Sequence, residues 1–260
     1  MNLDIESKHK LRDMGASHLL DALEAQDDAV CMGLTFAERL QMAVDEAYSD
    51  YINKTVAGLI KKAKLRIPQA DVRTIDYLEG RNLDRQTLVE LSTCGFVNRC
   101  DNVVFEGFSG SGKTFLSNAY AKECCRNRYR TLYIRMQDLE ELRREHIAKY
   151  GTDMKLVTKL ANYQVLVLDE WLFSKPSEEF RNFLLEVTER KYMESTIIFC
   201  TQFRKGDWHA RLGGGVQADA IMDRIVHNTV WVSAGDINMR EHYAKKDREA
   251  SSQDAQGRAD

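Results

Sequence analysis

Two short stretches hold side chains whose types and spacing suit phosphate chemistry. The first, Gly107-Phe108-Ser109-Gly110-Ser111-Gly112-Lys113-Thr114, matches the pattern G-x-x-x-x-G-K-[ST]. An apolar run, Val103-Val104-Phe105, leads into it as a buried strand, and a helical pattern follows. Such glycines let the backbone wrap a phosphate with its N–H groups inward, and the positive end of the next helix adds to the attraction. Lys113 would then reach the β- and γ-phosphates of ATP, and the Thr114 hydroxyl would take a place on Mg²⁺. The second stretch, Val165-Leu166-Val167-Leu168-Asp169-Glu170, is a continuous apolar strand ending in two carboxylates. Ligands of open parallel sheets bind beyond the carboxyl ends of the strands, which fits the position of the glycine-rich loop. Asp169 offers the hard oxygen that Mg²⁺ needs. Glu170, one residue deeper, can take a proton from the attacking water.

Two further positions could complete a hydrolytic site. The apolar strand Ile197-Ile198-Phe199-Cys200 ends in Thr201-Gln202. Gln202 is the first choice for holding the water or sensing the γ-phosphate. Thr201 is the alternative, and a plain strand-end cap is the competing reading. Arg224, in the helical stretch Ala220–His227, is a candidate arginine finger that reaches the γ-phosphate of a neighbouring subunit. An ion pair with Asp223 or another acid competes with that reading, and Arg211 is a weaker candidate finger.

These residues need a scaffold, and the hydrophobic pattern supplies one. Strands over 103–106, 131–135, 164–168, 196–200 and 230–233 alternate with helices over 113–127, 138–149, 153–161, 177–193 and 218–227. Five strands alternating with helices predict an α/β fold with a five-stranded parallel sheet covered on both faces, a P-loop NTPase core over 71–240. Asp84 is expected to cap a short helix over 85–94 that Gly95 ends. The stretch 241–260, rich in Ala, Ser, Gln, Asp and Arg, is expected to be a disordered tail. So little chain follows Ser233 that no C-terminal lid domain is expected, nor any cation supplied from there to the phosphates in cis. The helical unit in front of the P-loop would then cover the nucleotide or contact the neighbouring subunit.

Residues 1–70 read as a separate all-helical domain with DNA, partner or oligomer contacts. Apolar spacing predicts a helix over 7–28, with Gly15 as its weak point. Thr35 and Glu38 form a capping box that opens a long helix to about Arg66, where Ile67-Pro68 ends it. Its halves have different faces: Phe36, Leu40, Val44, Ala47 and Tyr51 on one side, Ile52, Val56, Leu59, Ala63 and Ile67 on another. The helix therefore either breaks near Ser49-Asp50 or packs on two partners. Lys54, Lys61, Lys62 and Lys64 lie opposite the second stripe, and no acidic residue occurs between Tyr51 and Ala70. Contact with the DNA backbone and a merely solvated face are the competing readings of that run.

Composition bounds the rest. A net charge of -3 excludes a uniformly basic protein, so any nucleic-acid contact must come from a local patch. The six cysteines show no C-x-x-C spacing and read as free thiols of a reducing compartment. No apolar run approaches a membrane-spanning length and the N-terminus has no apolar leader core, so a cytoplasmic protein is expected.

With these residues in view, the chain resembles the IstB-like transposition-helper ATPases, a branch of the AAA+ class close to the DnaC helicase loaders. Beyond the P-loop the resemblance rests on Lys10-Leu11-Arg12, Leu34–Leu40, Ile75-Asp76-Tyr77, Leu166–Trp171, Asp207-Trp208-His209 and Ala218–Asn228. It implies a homo-oligomer with shared ATP sites that assembles on double-stranded DNA and delivers it to a partner transposase. By the same resemblance Lys113, Thr114, Asp169 and Arg224 carry over as nucleotide, magnesium and finger residues. The family often has a second Asp where this chain has Glu170, a departure that favours hydrolysis over simple binding. A DnaC-type helicase loader would share every nucleotide residue and differ in its partner. A small-molecule kinase would need an Arg-rich lid stretch after the second motif, which is not seen. A scaffold that ATP locks without turnover sits poorly with an intact Lys113 and Glu170.

Overall fold

A computed structural model describes residues 3–256. The chain divides into two compact units, with the division between Gly58 and Leu59 rather than near residue 70.

In the first unit, α1 (Ile5–Asp13) and α2 (Ser17–Ala25) replace the single expected helix. Gly15, at φ +75°, makes the left-handed turn between them. The capping box forms as expected: Glu38 Oε2 accepts from the Thr35 amide at 2.7 Å, and Thr35 Oγ1 accepts from the Glu38 amide at 3.3 Å. It opens α3 (Phe36–Lys62), which runs through Ser49-Asp50 without a break. Ala43 and Ala47 pack with Ala22 and Leu23, but Phe36, Leu40, Val44 and Tyr51 are exposed. The expected apolar face is thus mostly uncovered, because so small a unit has too little chain to bury it. The unit is also acidic, with eleven Asp and Glu against five Lys and Arg in residues 1–58. At the far end of α3, Leu59 and Ile60 pack against the core of the second unit, together with Ala63.

The second unit begins with a 3₁₀ turn, Val72–Thr74, and α4 (Arg85–Ser92), capped by Asp84 through the Thr87 amide at 3.1 Å. Gly95 does not end this helix. Cys94 takes a left-handed conformation, and Gly95 opens α5 (Gly95–Asn98). There follow β1 (Asn102–Glu106), α6 (Lys113–Arg126), β2 (Thr131–Arg135), α7 (Met136–Tyr150), α8 (Met154–Ala161), β3 (Val165–Asp169), α9 (Glu178–Lys191), β4 (Thr196–Thr201), α10 (Lys205–Arg211), α11 (Gly215–Val226), β5 (Thr229–Ser233) and α12 (Met239–Gln256). All five strands are parallel, in the order β2-β3-β4-β1-β5.

Side chains alternate across this sheet as period two requires. Val103, Phe105, Val165, Val167 and Ile198 face the core that α6 covers. Val104, Leu166, Leu168, Ile197 and Phe199 face the core beneath α9 and α11. Burial on both faces explains why the strands are continuous apolar runs. The short helix α10 escaped the periodicity because seven residues make only two turns. Its Trp208 is fully buried, against Phe199 at 5.7 Å, Trp171 at 5.8 Å and Trp231 at 5.3 Å between ring centroids. All six cysteines are free thiols.

The expected disordered tail is a correction. Residues 239–256 form α12, and 257–260 lie outside the described residues. The start of α12 is anchored: the Met239 amide donates to Gly110 O at 2.9 Å, and Tyr243 donates to the Asp76 carboxylate. A polar composition did not reveal this, because the anchors are backbone and side-chain hydrogen bonds to distant segments.

Removal of Trp208 tests the core beneath α10. Trp208→Ala should cost about 4 kcal/mol in urea unfolding followed by circular dichroism, as a large cavity between three aromatic rings predicts. A loss below about 1 kcal/mol would show that the cluster does not hold this face together.

Candidate nucleotide site

The strand order explains how two distant motifs meet. β4 lies between β3 and β1, so their C-terminal ends open onto one edge. A cleft of about 560 Å³ opens there, and Lys113, Thr114, Asp169, Glu170 and Gln202 all line it. The glycine-rich loop requires its glycines. Gly110 and Gly112 take φ +92° and +99°, and a Cβ on Gly112 would lie 2.8 Å from Arg81 Nη2. Lys113 Nζ donates to the carbonyls of Gly107 at 2.7 Å and Phe108 at 2.6 Å. Burial pushes its pKa below the usual lysine range. The loop thus holds a desolvated ammonium whose acceptors are neutral carbonyls, which an anion can replace.

The metal-side residues also come together. Thr114 Oγ1 donates to Asp169 Oδ2 at 2.9 Å, and Tyr133 Oη donates to the same oxygen at 2.6 Å. The Glu170 amide donates to Asp169 Oδ1 at 2.8 Å. Burial, then the charge of Asp169, pushes the Tyr133 phenol up, which keeps it a donor. A hydroxyl and a carboxylate in contact at the phosphate loop are the donor set that Mg²⁺ takes when it also binds phosphate oxygens and water. Glu170 sits in the left-handed region at φ +58°, uncommon for a residue with a side chain. Its carboxylate pairs with Arg66 Nη1 at 3.3 Å. Tyr133 and Glu170 in turn raise the pKa of Arg66.

The remaining candidates separate. Gln202 is exposed in the cleft, whereas Thr201 is buried, donating to Trp171 O and accepting from the Phe203 amide, both at 3.1 Å. Thr201 is therefore a strand-end cap. Arg224 lies outside this cleft, paired with Glu189 and donating to Ala220 O at 2.8 Å. Arg211 donates to Leu172 O at 2.6 Å and Phe173 O at 2.7 Å, bracing the turn after Glu170. Lys61, Lys62 and Lys64 are exposed in the second unit, while Lys54 belongs to the first and pairs with Asp50 at 2.8 Å.

Several lining residues had no signal in the sequence. Arg66, which lines the cleft, stood at the end of a lysine-rich stretch, and Tyr133, which bonds to Asp169, was one position of a five-residue strand. Arg240 and Tyr243 of α12 also line the cleft. This corrects the expectation that nothing after Ser233 can bring a cation to the site in cis. A single Arg in a polar helix carries no pattern.

Comparison with known proteins places the chain. The model of the IstB-like ATP binding protein family matches residues 9–249. The chain belongs to this family. A putative insertion sequence ATP-binding protein of Sinorhizobium fredii is 30% identical over 239 residues, covering 91% of this chain and 96% of that one. The putative ATP-binding protein of insertion sequence IS5376 from Geobacillus stearothermophilus is 27% identical, covering 76% and 78%. Among solved structures, AMPPCP-bound DnaA from Aquifex aeolicus aligns with a TM-score of 0.53 at 21% identity, over 70% of this chain and 56% of that one. The DnaC helicase loader aligns at 0.50 and 22% identity, over 63% and 96%. These structures share the P-loop AAA+ fold with the IstB-like chain, which binds ATP and is an ATPase. Among the described residues, no helix is long and apolar enough to cross a membrane.

Two substitutions test the site. Lys113→Ala should abolish tight ATP binding in calorimetry, because the loop loses its buried cation. Glu170→Gln should bind ATP normally, with turnover lower by a factor on the order of 10². Unchanged turnover would place the base elsewhere.

Proposed function

We propose that this IstB-like ATPase binds double-stranded DNA and helps a transposase select or capture its target, working as a homo-oligomer with shared ATP sites. The observation that carries the reading is an assembled P-loop and Asp-Glu pair in a chain whose family relatives are ATP-binding proteins of insertion sequences. Likeness to a DnaC loader extends to the fold alone, so the transposition reading is preferred to helicase loading.

Lys113 holds the β- and γ-phosphates once they replace the Gly107 and Phe108 carbonyls. Thr114 and Asp169 would hold Mg²⁺, which would supply positive charge to offset that of the phosphates. Glu170 accepts the proton of the attacking water, and Gln202 orients that water. Arg66 fixes the Glu170 carboxylate between turnovers. Arg224 serves a neighbouring subunit's phosphates, so assembly has to draw it away from Glu189. The acidic character of the first unit disfavours DNA contact there, so Lys61, Lys62 and Lys64 are the phosphate contacts proposed.

Replacement of Lys61 and Lys62 by Ala should weaken DNA binding about equally across sequences. It should also reduce the slope of log K against log salt by about 2 units. An unchanged slope and affinity would mean a solvated face. The shared site has its own test. Arg224→Ala should bind ATP nearly normally and hydrolyse it roughly 10³-fold more slowly. Mixing it with Lys113→Ala should restore part of the activity, since each variant lends its intact half-site. No recovery under conditions that assemble the wild type would exclude that sharing.

A further inference from the structure

Arg81 lies between the 3₁₀ turn and α4, and no motif points to it. Its side chain is only 2% exposed, yet it lines the same cleft as Lys113 and Thr114. Nη1 donates to Asp76 O at 2.7 Å and Nη2 donates to Ser111 O at 3.1 Å. Nε is buried without a hydrogen-bond partner. Among the described residues no carboxylate forms an ion pair with Arg81. Asp76 acts on it only at longer range, and the Asp76 carboxylate accepts from Tyr243. Burial works against the Arg81 charge, pushing its pKa down, though a guanidinium remains protonated.

The position is constrained from two sides. On one side Nη2 sits against Gly112, where an added Cβ would be 2.8 Å away. On the other, Arg81 O accepts from the Asp236 amide at 3.0 Å, and a Cβ on Gly235 (φ +93°) would lie 2.4 Å from Arg81 O. Arg81 therefore joins the phosphate loop to the segment between β5 and α12. A buried cation with only carbonyl acceptors is costly unless an anion completes it. The phosphate cleft is where such an anion would enter.

We propose that Arg81 is a second phosphate-directed cation of the cleft, one whose charge the nucleotide's polyphosphate neutralises alongside Lys113. The inference rests on the cleft being the ATP site. It gives the site a cation from outside the P-loop, available within one chain and independent of any neighbour. Its contribution is to the charge of the ligand and not to the base: adenosine gains nothing from it.

The test uses the full chain and four proteins: wild type, Arg81→Gln, Arg81→Lys and Lys113→Ala. ATP and ADP affinities are measured by calorimetry, and adenosine by displacement of a fluorescent ADP analogue. Arg81→Gln puts a neutral amide in place of the guanidinium and so loses the charge. It should weaken ATP and ADP by about tenfold or more and leave adenosine unchanged, the size expected for losing one charge-assisted contact. Arg81→Lys should bind ATP within about threefold of wild type, since charge is what it preserves. Wild-type ATP affinity in Arg81→Gln overturns the proposal, as does an equal loss for ATP and adenosine. So does a loss in Arg81→Lys as large as in Arg81→Gln. If Arg81→Gln does not fold, Arg81→Lys decides alone, with about a tenfold loss of ATP affinity counting against the proposal. Normal ATP binding by Lys113→Ala would instead show that the cleft is not the ATP site, and the inference would fall with that reading.

Discussion

The hydrogen bond from Thr114 Oγ1 to Asp169 Oδ2 is the contact on which the site depends. It joins the start of α6 to the end of β3 across β4, which lies between β3 and β1. Parallel pairing fixes how far each strand extends. Val104 is level with Phe199 and Leu168 is level with the same residue, so the loop after β1 and the acids after β3 emerge on one edge. The apolar residues that alternate along these strands hold that register, because a slip of one residue would turn a buried face outward. Core packing on both faces of the sheet thus sets a distance of a few ångströms between two polar side chains.

Two cations of the cleft already have partners within the chain. Lys113 rests on two carbonyls, and Arg66 is paired with Glu170. Asp169 receives donors from Thr114, Tyr133 and the Glu170 amide, which fixes its carboxylate orientation. The left-handed turn at Glu170 and Leu172, braced by Arg211 on the carbonyls of Leu172 and Phe173, aims the second acid away from the strand. Trp171, buried between these two residues, ties that turn to the aromatic core through Phe199 and Trp208.

Much of this was legible in the sequence, and the reason is locality. The P-loop, the apolar strand ending in Asp169-Glu170, and the Thr35 and Asp84 caps are each written within a few consecutive residues. Apolar runs between helical patterns recovered all five strands to within one residue at either end. What escaped depends on contacts between distant segments. Arg66 and Glu170 are 104 positions apart, and Tyr243 meets Asp76 across 167. The helix at 239–256 carries no signal in the sequence because its anchors, Gly110 and Asp76, lie in other parts of the chain. The expected boundary near residue 70 followed a change in pattern. The observed one at Gly58 follows packing, since Leu59, Ile60 and Ala63 join the second unit's core before α3 has ended or just after it.

In the proposed function, Thr114 and Asp169 together hold the metal that accompanies the nucleotide. The most direct measurement is ATP affinity by calorimetry, with and without Mg²⁺, for the wild type and Asp169→Asn. Wild type should gain affinity when Mg²⁺ is added. Asp169→Asn should bind metal-free ATP about as well as wild type and lose most of the gain, because a neutral amide is a poor ligand for a hard dication. An Asp169→Asn protein that gains as much from Mg²⁺ as wild type would contradict the account.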